Sequence, residues 1–116
     1  MHRKCFKEMP CPIARGLEKV GEWWSILILA HAHQGMTRFD EFEKSLGIGS
    51  NTLTRRLNWL VEQGLLERRP YCEKPPRHEY VLTPAGRDFA PVLQAFDAWG
   101  RQHAQGPPGP PLTLID

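Results

Sequence analysis

Charge of one sign, paired cysteines and long apolar runs are all scarce in this chain, and each shortage removes a class of protein. Lys+Arg number 15 against 13 Asp+Glu, which leaves a formal net charge of only +2. The molecule as a whole is mildly basic, so any footprint for a polyanion has to come from local clustering. Three cysteines, an odd number, argue against a disulfide-stapled scaffold. The longest apolar run, Trp23 to Ala30, is interrupted by Ser25 and falls far short of the ~20 residues that cross a bilayer. Met1 to Pro10 is polar and basic, without the apolar stretch of a secretory signal. The expectation is a soluble, cytoplasmic protein with no membrane partner.

Patterns that carry catalysis are equally thin. There is no glycine-rich phosphate loop and no histidine beside Cys11 to serve as its base, which argues against a thiol enzyme. His31 and His33 stand two apart, so on a helix they point to nearly opposite sides. No second Cys/His pair completes a site. No enzyme activity, metal or cofactor is expected.

What the chain does contain is concentrated between Thr37 and Thr83. Thr37 followed by Asp40 reads as a near capping box that opens a short helix, with Phe39, Phe42 and Leu46 as its apolar stripe. Leu46-Gly47-Ile48-Gly49-Ser50 turns the chain. A second helix follows, in which Leu53, Leu57, Leu60 and Val61 share one side. At 100° per residue, Asn51, Arg55, Asn58 and Glu62 then point the opposite way, and Gly64 closes the helix. Leu65 to Tyr71 and Arg77 to Leu82 are strand candidates, with His78, Tyr80 and Leu82 on one face. Pro75-Pro76 cannot donate to a ladder and belongs at the hairpin tip. Helix, turn, helix and ribbon in that order predict a winged helix-turn-helix, which places one helix in a DNA major groove and a ribbon against the flanking backbone. Arg55, Arg56, Arg68, Arg69, Lys74 and Arg77 supply local positive charge, interrupted by Glu62, Glu67, Glu73 and Glu79.

The rest of the chain frames this block. Residues 1–10 read as a flexible basic arm, 11–103 as the domain, and 104–116 as a flexible Gly/Pro-rich tail. Pro12 suits a first helical turn, and Ile13, Ala14, Leu17 and Val20 then fall on one face before Gly21. Trp23 to Ala32 is a buried strand or a buried helix by periodicity alone; its Leu and Ala content and the Gly35 stop favour helix. Thr83-Pro84 restarts helix. Ala85, Phe89, Val92, Leu93, Phe96 and Trp99 make an apolar stripe, which Pro91 should bend or split.

These residues resemble the HxlR-type bacterial winged-helix transcription regulators. The likeness runs from Cys11-Pro12-Ile13 through Gly21, Trp24, Ile26 and Leu27-Ile28-Leu29. It continues with Phe39, Phe42, Leu53, Arg56-Leu57, Gly64-Leu65 and Glu67-Arg68. Pro75-Pro76-Arg77, Glu79-Tyr80, Leu82-Thr83, Gly86 and Trp99-Gly100 complete it. The likeness covers roughly residues 11 to 102, and its motifs are numerous. Phe42 stands where leucine is usual and Trp59 where a polar or charged residue is commoner, and the Gly/Pro tail is extra. The resemblance implies a homodimer, built from the first and last helices, on a pseudo-palindromic operator.

Candidate site residues follow. Asn51 and Arg55 suit bidentate pairing with adenine and guanine, Asn58 continues their row, and Thr52 and Thr54 suit phosphate or a thymine methyl. Ser50 is an N-cap, a phosphate donor or both. Arg38 sits where this architecture crosses the backbone, and Lys74, Arg77 and His78 occupy the wing. The alternatives are a solvated polar face, an ion pair of Arg77 with Glu73 or Glu79, and for Arg56 a carboxylate or a phosphate. Ile13, Leu17, Phe89, Val92, Leu93, Phe96 and Trp99 are dimer-seam candidates. Cys11 lies at a helix start, a setting that favours thiolate, with Arg15 one turn on and Cys5 in the arm. The resemblance implies oxidant or electrophile sensing there; the alternative is a small packed hydrophobe. A double-stranded DNA-binding transcription regulator is thus the leading reading, its signal an unidentified oxidant or small molecule. A winged-helix protein–protein module is the alternative.

Overall fold

Proline and glycine set most of the element boundaries. The computed structural model describes residues 7–114. In chain order these form α1 (Pro12–Val20), α2 (Trp23–His33), α3 (Phe39–Leu46), α4 (Ser50–Glu62), β1 (Leu66–Glu73), β2 (Pro76–Leu82), α5 (Pro84–Arg87) and α6 (Ala90–His103). Pro12 and Pro84 each occupy the first position of a helix, where a missing N–H costs nothing. Pro91 does split the last helical segment: α5 ends at Arg87, and Pro91 lies in the first turn of α6.

The ambiguous run at Trp23 is helix α2, and it is the centre of the core. Ile28, Leu29 and Ala32 of α2 are buried against Phe42 of α3, Ile48 of the turn and Leu53, Leu57 and Leu60 of α4. Leu65 and Leu66 at the base of the ribbon close this cluster. Each fully buried leucine contributes roughly 1.5–3 kcal/mol of burial, so the three on α4 fix which side of that helix faces outward. Gly47 makes the sharp turn between α3 and α4 possible by adopting φ +65°, a conformation that L side chains rarely take.

Several local expectations need correction. α3 is capped at Arg38, not Thr37, and the reaching carboxylate is Glu41, which accepts from the backbone N–H groups of Arg38 (2.9 Å) and Thr37 (3.2 Å). Thr37 is held elsewhere, its carbonyl accepting from the Tyr80 N–H at 2.6 Å. Gly49, not Ser50, is the N-cap of α4. The hairpin turns at Lys74 and Pro75, while Pro76 opens β2 opposite Glu73. β1 and β2 pair antiparallel from Leu66↔Leu82 to Pro70↔His78, and the register shifts around Tyr71 before Cys72↔Arg77.

The tail leaves α6 without regular structure and lies back along it. The Arg101 guanidinium, paired with Asp97 at 3.0 Å, donates to the carbonyls of Pro108 and Pro110. Leu112 is half-buried beside Trp23 and Phe96.

Gly86 shows how tightly ribbon and α5 are joined. A Cβ there would sit 2.1 Å from the Leu65 carbonyl oxygen. The Gly86 carbonyl accepts from His33 Nε2 at 3.0 Å, and its N–H donates to Thr83 Oγ1 at 3.1 Å. Gly86→Ala is therefore expected to lower stability by ~1–3 kcal/mol, as overpacking does. Urea unfolding should show this as a lower midpoint; an unchanged midpoint would mean that the backbone at Leu65 moves freely.

Candidate nucleic-acid interface

α4 presents the row that its sequence phasing predicts. Asn51, Thr54, Arg55, Asn58 and Glu62 are exposed, opposite the buried leucines. Thr52 is half-buried and its hydroxyl lies 3.4 Å from Arg55 Nη2. Thr54 donates to the Ser50 carbonyl at 2.9 Å, leaving its methyl group and hydroxyl lone pair for a partner. The Ser50 hydroxyl donates to the Glu43 carboxylate on α3, an engagement that phosphate would have to replace. Arg56 turns away from the row and pairs with Glu22 at 3.4 Å, the carboxylate alternative of the sequence reading.

The ribbon stands beside this row and is docked onto α3. Arg38 bridges to Glu79 through the backbone, and its guanidinium lies 4.5 Å from the centroid of the Tyr71 ring. That cation–π contact holds the guanidinium against the outer half of β1, toward the tip. Lys74, Arg77 and His78 are exposed near the tip. Among the described residues Arg77 makes no ion pair with Glu73 or Glu79; the ion pair in the ribbon joins Arg69 to Glu67 at 2.9 Å. Lys74 and Arg77 thus keep their charges available, as a phosphate-tracking edge needs.

Trp59 and Tyr71 are the two placements that the sequence hid. Trp59 flanks the outward row but turns to α1, its Nε1 donating to the Lys19 carbonyl at 2.8 Å. Tyr71 carries no motif; it matters because the irregularity in β1 brings it under Arg38. Only spatial proximity signals either role.

The remaining candidates divide sharply by exposure. Ile13 (75% exposed), Leu17 (46%), Phe96 (57%), Trp99 (61%) and Val92 face outward. Leu93 is buried and Phe89 is half-buried against the core, so these two turn inward. Cys11 is half-buried at the N-cap of α1. Arg15 does not turn back to it but donates to the Met9 carbonyl at 2.8 Å. Cys5 lies outside the described residues. Desolvation by burial lowers the pKa of His31, and His33 is committed to Gly86. Among the described residues no three His, Cys, Asp or Glu side chains converge as a metal site, and no helix is long and apolar enough to cross a membrane.

Two helices joined by a tight turn, with an antiparallel ribbon docked on the first of them, make this a winged helix-turn-helix protein. The chain belongs to the HxlR-like helix-turn-helix family, whose model matches residues 19–107. It is 46% identical over 102 residues to the HTH-type transcriptional regulator Rv3095 of Mycobacterium tuberculosis, covering 88% of this chain. It spans only 65% of the length of that relative. A regulator from Methanothermobacter thermautotrophicus is 35% identical over 97 residues, covering 83% of this chain and 74% of that protein. Among solved structures, PA1607, described as a candidate transcription factor, superposes with a TM-score of 0.84 at 40% identity, covering 97% of this chain and 79% of that one. The redox regulator HypR in its oxidized form superposes at 0.75 with 31% identity, covering 83% of this chain and all of that one (100%).

Proposed function

We propose that this protein regulates transcription as a homodimer bound to a pseudo-palindromic site in double-stranded DNA. The observation that carries the reading is the exposed Asn51–Arg55–Asn58 row of α4 beside a ribbon whose Lys74 and Arg77 make no ion pair among the described residues. Asn51 and Arg55 read base edges, while Arg38, Ser50, Lys74, Arg77 and His78 hold phosphate. The apolar groups that α1 and α6 leave exposed form the seam with a second copy. The test is DNA binding by the full chain across a salt series. A log–log fall of affinity with salt together with a sequence preference supports the reading, because phosphate contact releases counterions. Salt-independent binding, or binding without preference, supports a protein–protein module instead.

Cys11 is the place where a signal enters, in this reading. HypR is a redox regulator, and Cys11 here sits at the start of α1, the helix that carries Ile13 and Leu17 of the seam. A sulfenate or a crosslink at Cys11 adds bulk beside that helix and shifts the spacing of the two reading helices. Operator binding by the parent should change on mild oxidation, and Cys11→Ser should not respond. Equal responses, or none, would leave Cys11 as a packing residue.

A further inference from the structure

The cavity between α1 and the C-terminal half of α4 gathers cations that the proposed DNA contacts do not use. It encloses about 580 Å³ and is lined by Lys7, Arg15, Glu18, Lys19, Trp59 and Gln63. That volume lies within the ~300–1,000 Å³ typical of small-molecule sites. Three cations and one carboxylate share it, so its potential is positive. Trp59 forms an aromatic wall whose position is fixed, because the hydrogen bond from Nε1 to the Lys19 carbonyl anchors the indole on α1. Among the described residues the Lys19 ammonium reaches Gln63 Oε1, at 3.4 Å, a weak tie that an anion would outcompete.

We infer that this cavity binds a small aromatic anion, its ring against Trp59 and its charged group on Arg15 and Lys19. A flat ring beside an indole gains offset stacking, and a carboxylate between a guanidinium and an ammonium gains charge-assisted hydrogen bonds. The binding itself does not depend on the DNA reading; its regulatory consequence does. Lys19 is the residue through which α1 holds both Trp59 and Gln63. A ligand bound across Lys19 and Trp59 therefore bears on the contact between α1 and α4.

The test is calorimetric titration of the full chain with 2-naphthoate and with its uncharged counterpart 2-naphthalenemethanol. Naphthoate should saturate at one per chain, and the alcohol should bind at least about tenfold more weakly, the scale of one lost charge-assisted hydrogen bond. Arg15→Gln combined with Lys19→Gln should weaken naphthoate by a similar factor or more while leaving the circular dichroism of the fold unchanged. Trp59→Phe, which keeps an aromatic wall, should retain most of the binding. Equal affinity for the two probes, an undiminished affinity in the double variant, or no naphthoate binding at millimolar concentration would overturn the inference. If the double variant instead flattens the salt dependence of DNA binding and naphthoate never binds, the cations belong to a phosphate-tracking surface. Failure of DNA binding in a parent that still takes naphthoate would strike the DNA reading alone.

Discussion

Leu17→Glu combined with Phe96→Glu is expected to convert the protein to a monomer and to remove operator binding at concentrations that saturate the parent. Leu17 and Phe96 stand on α1 and α6 with 46% and 57% of their surface exposed, beside Ile13 at 75% and Trp99 at 61%. Single exposed apolar residues are ordinary, but several on each of two helices mark an interface. Trp23 and Leu27 of α2 extend the same apolar region into a cleft of about 370 Å³ against Leu93 and Phe96 of α6. Both substitutions lie outside the core, so the folded chain should tolerate them. In the proposed seam, by contrast, each glutamate would be buried without a partner, at a cost of several kcal/mol. Separating the two copies also removes the avidity of two linked half-sites, roughly 10²–10⁴-fold in affinity. Sedimentation velocity and a DNA titration on the same preparations read both effects. A double variant that still sediments as a dimer would place the seam elsewhere.

Arg55→Ala should weaken binding to the preferred site by ~1–3 kcal/mol and relax the preference at one position in each half-site. The side chain is exposed on the face of α4 opposite Leu53, Leu57 and Leu60. Its described hydrogen bond inside the protein is the long 3.4 Å approach to Thr52, so removing it costs little stability. Lys74→Ala offers the contrast. At the turn of the ribbon, without an ion pair among the described residues, it should weaken all sequences alike and reduce the salt slope by about one unit. Competition binding against single-base variants of the site separates the two behaviours. If both variants bind like the parent, the DNA-facing surface has been misplaced.

Elements whose information is local were legible in the sequence. The spacing of Leu53, Leu57 and Leu60 fixed the outward row of α4, and Pro91 announced the break before α6. Phe89 and Leu93 turn inward for separate reasons: Phe89 precedes α6 and lies half-buried against the core, while Leu93 is buried on α6 beside exposed Val92 and Phe96, so core and outer face divide one stripe. The cap of α4 was missed because Gly49 has no side chain to signal one. The Tyr71–Arg38 stack and the Trp59–Lys19 hydrogen bond were invisible for a different reason. They join residues 33 and 40 positions apart and exist only once the ribbon docks on α3 and α4 docks on α1.

Selection of bound duplexes from a random-sequence pool by the full chain tests the DNA reading most directly. The expected product is an inverted repeat whose half-site centres lie about one helical turn, ~34–36 Å, apart, protected by one dimer. Loss of that repeat with Arg55→Ala would tie it to α4. A pool that returns no enriched sequence, or a single unpaired half-site bound by a monomer, would contradict the account.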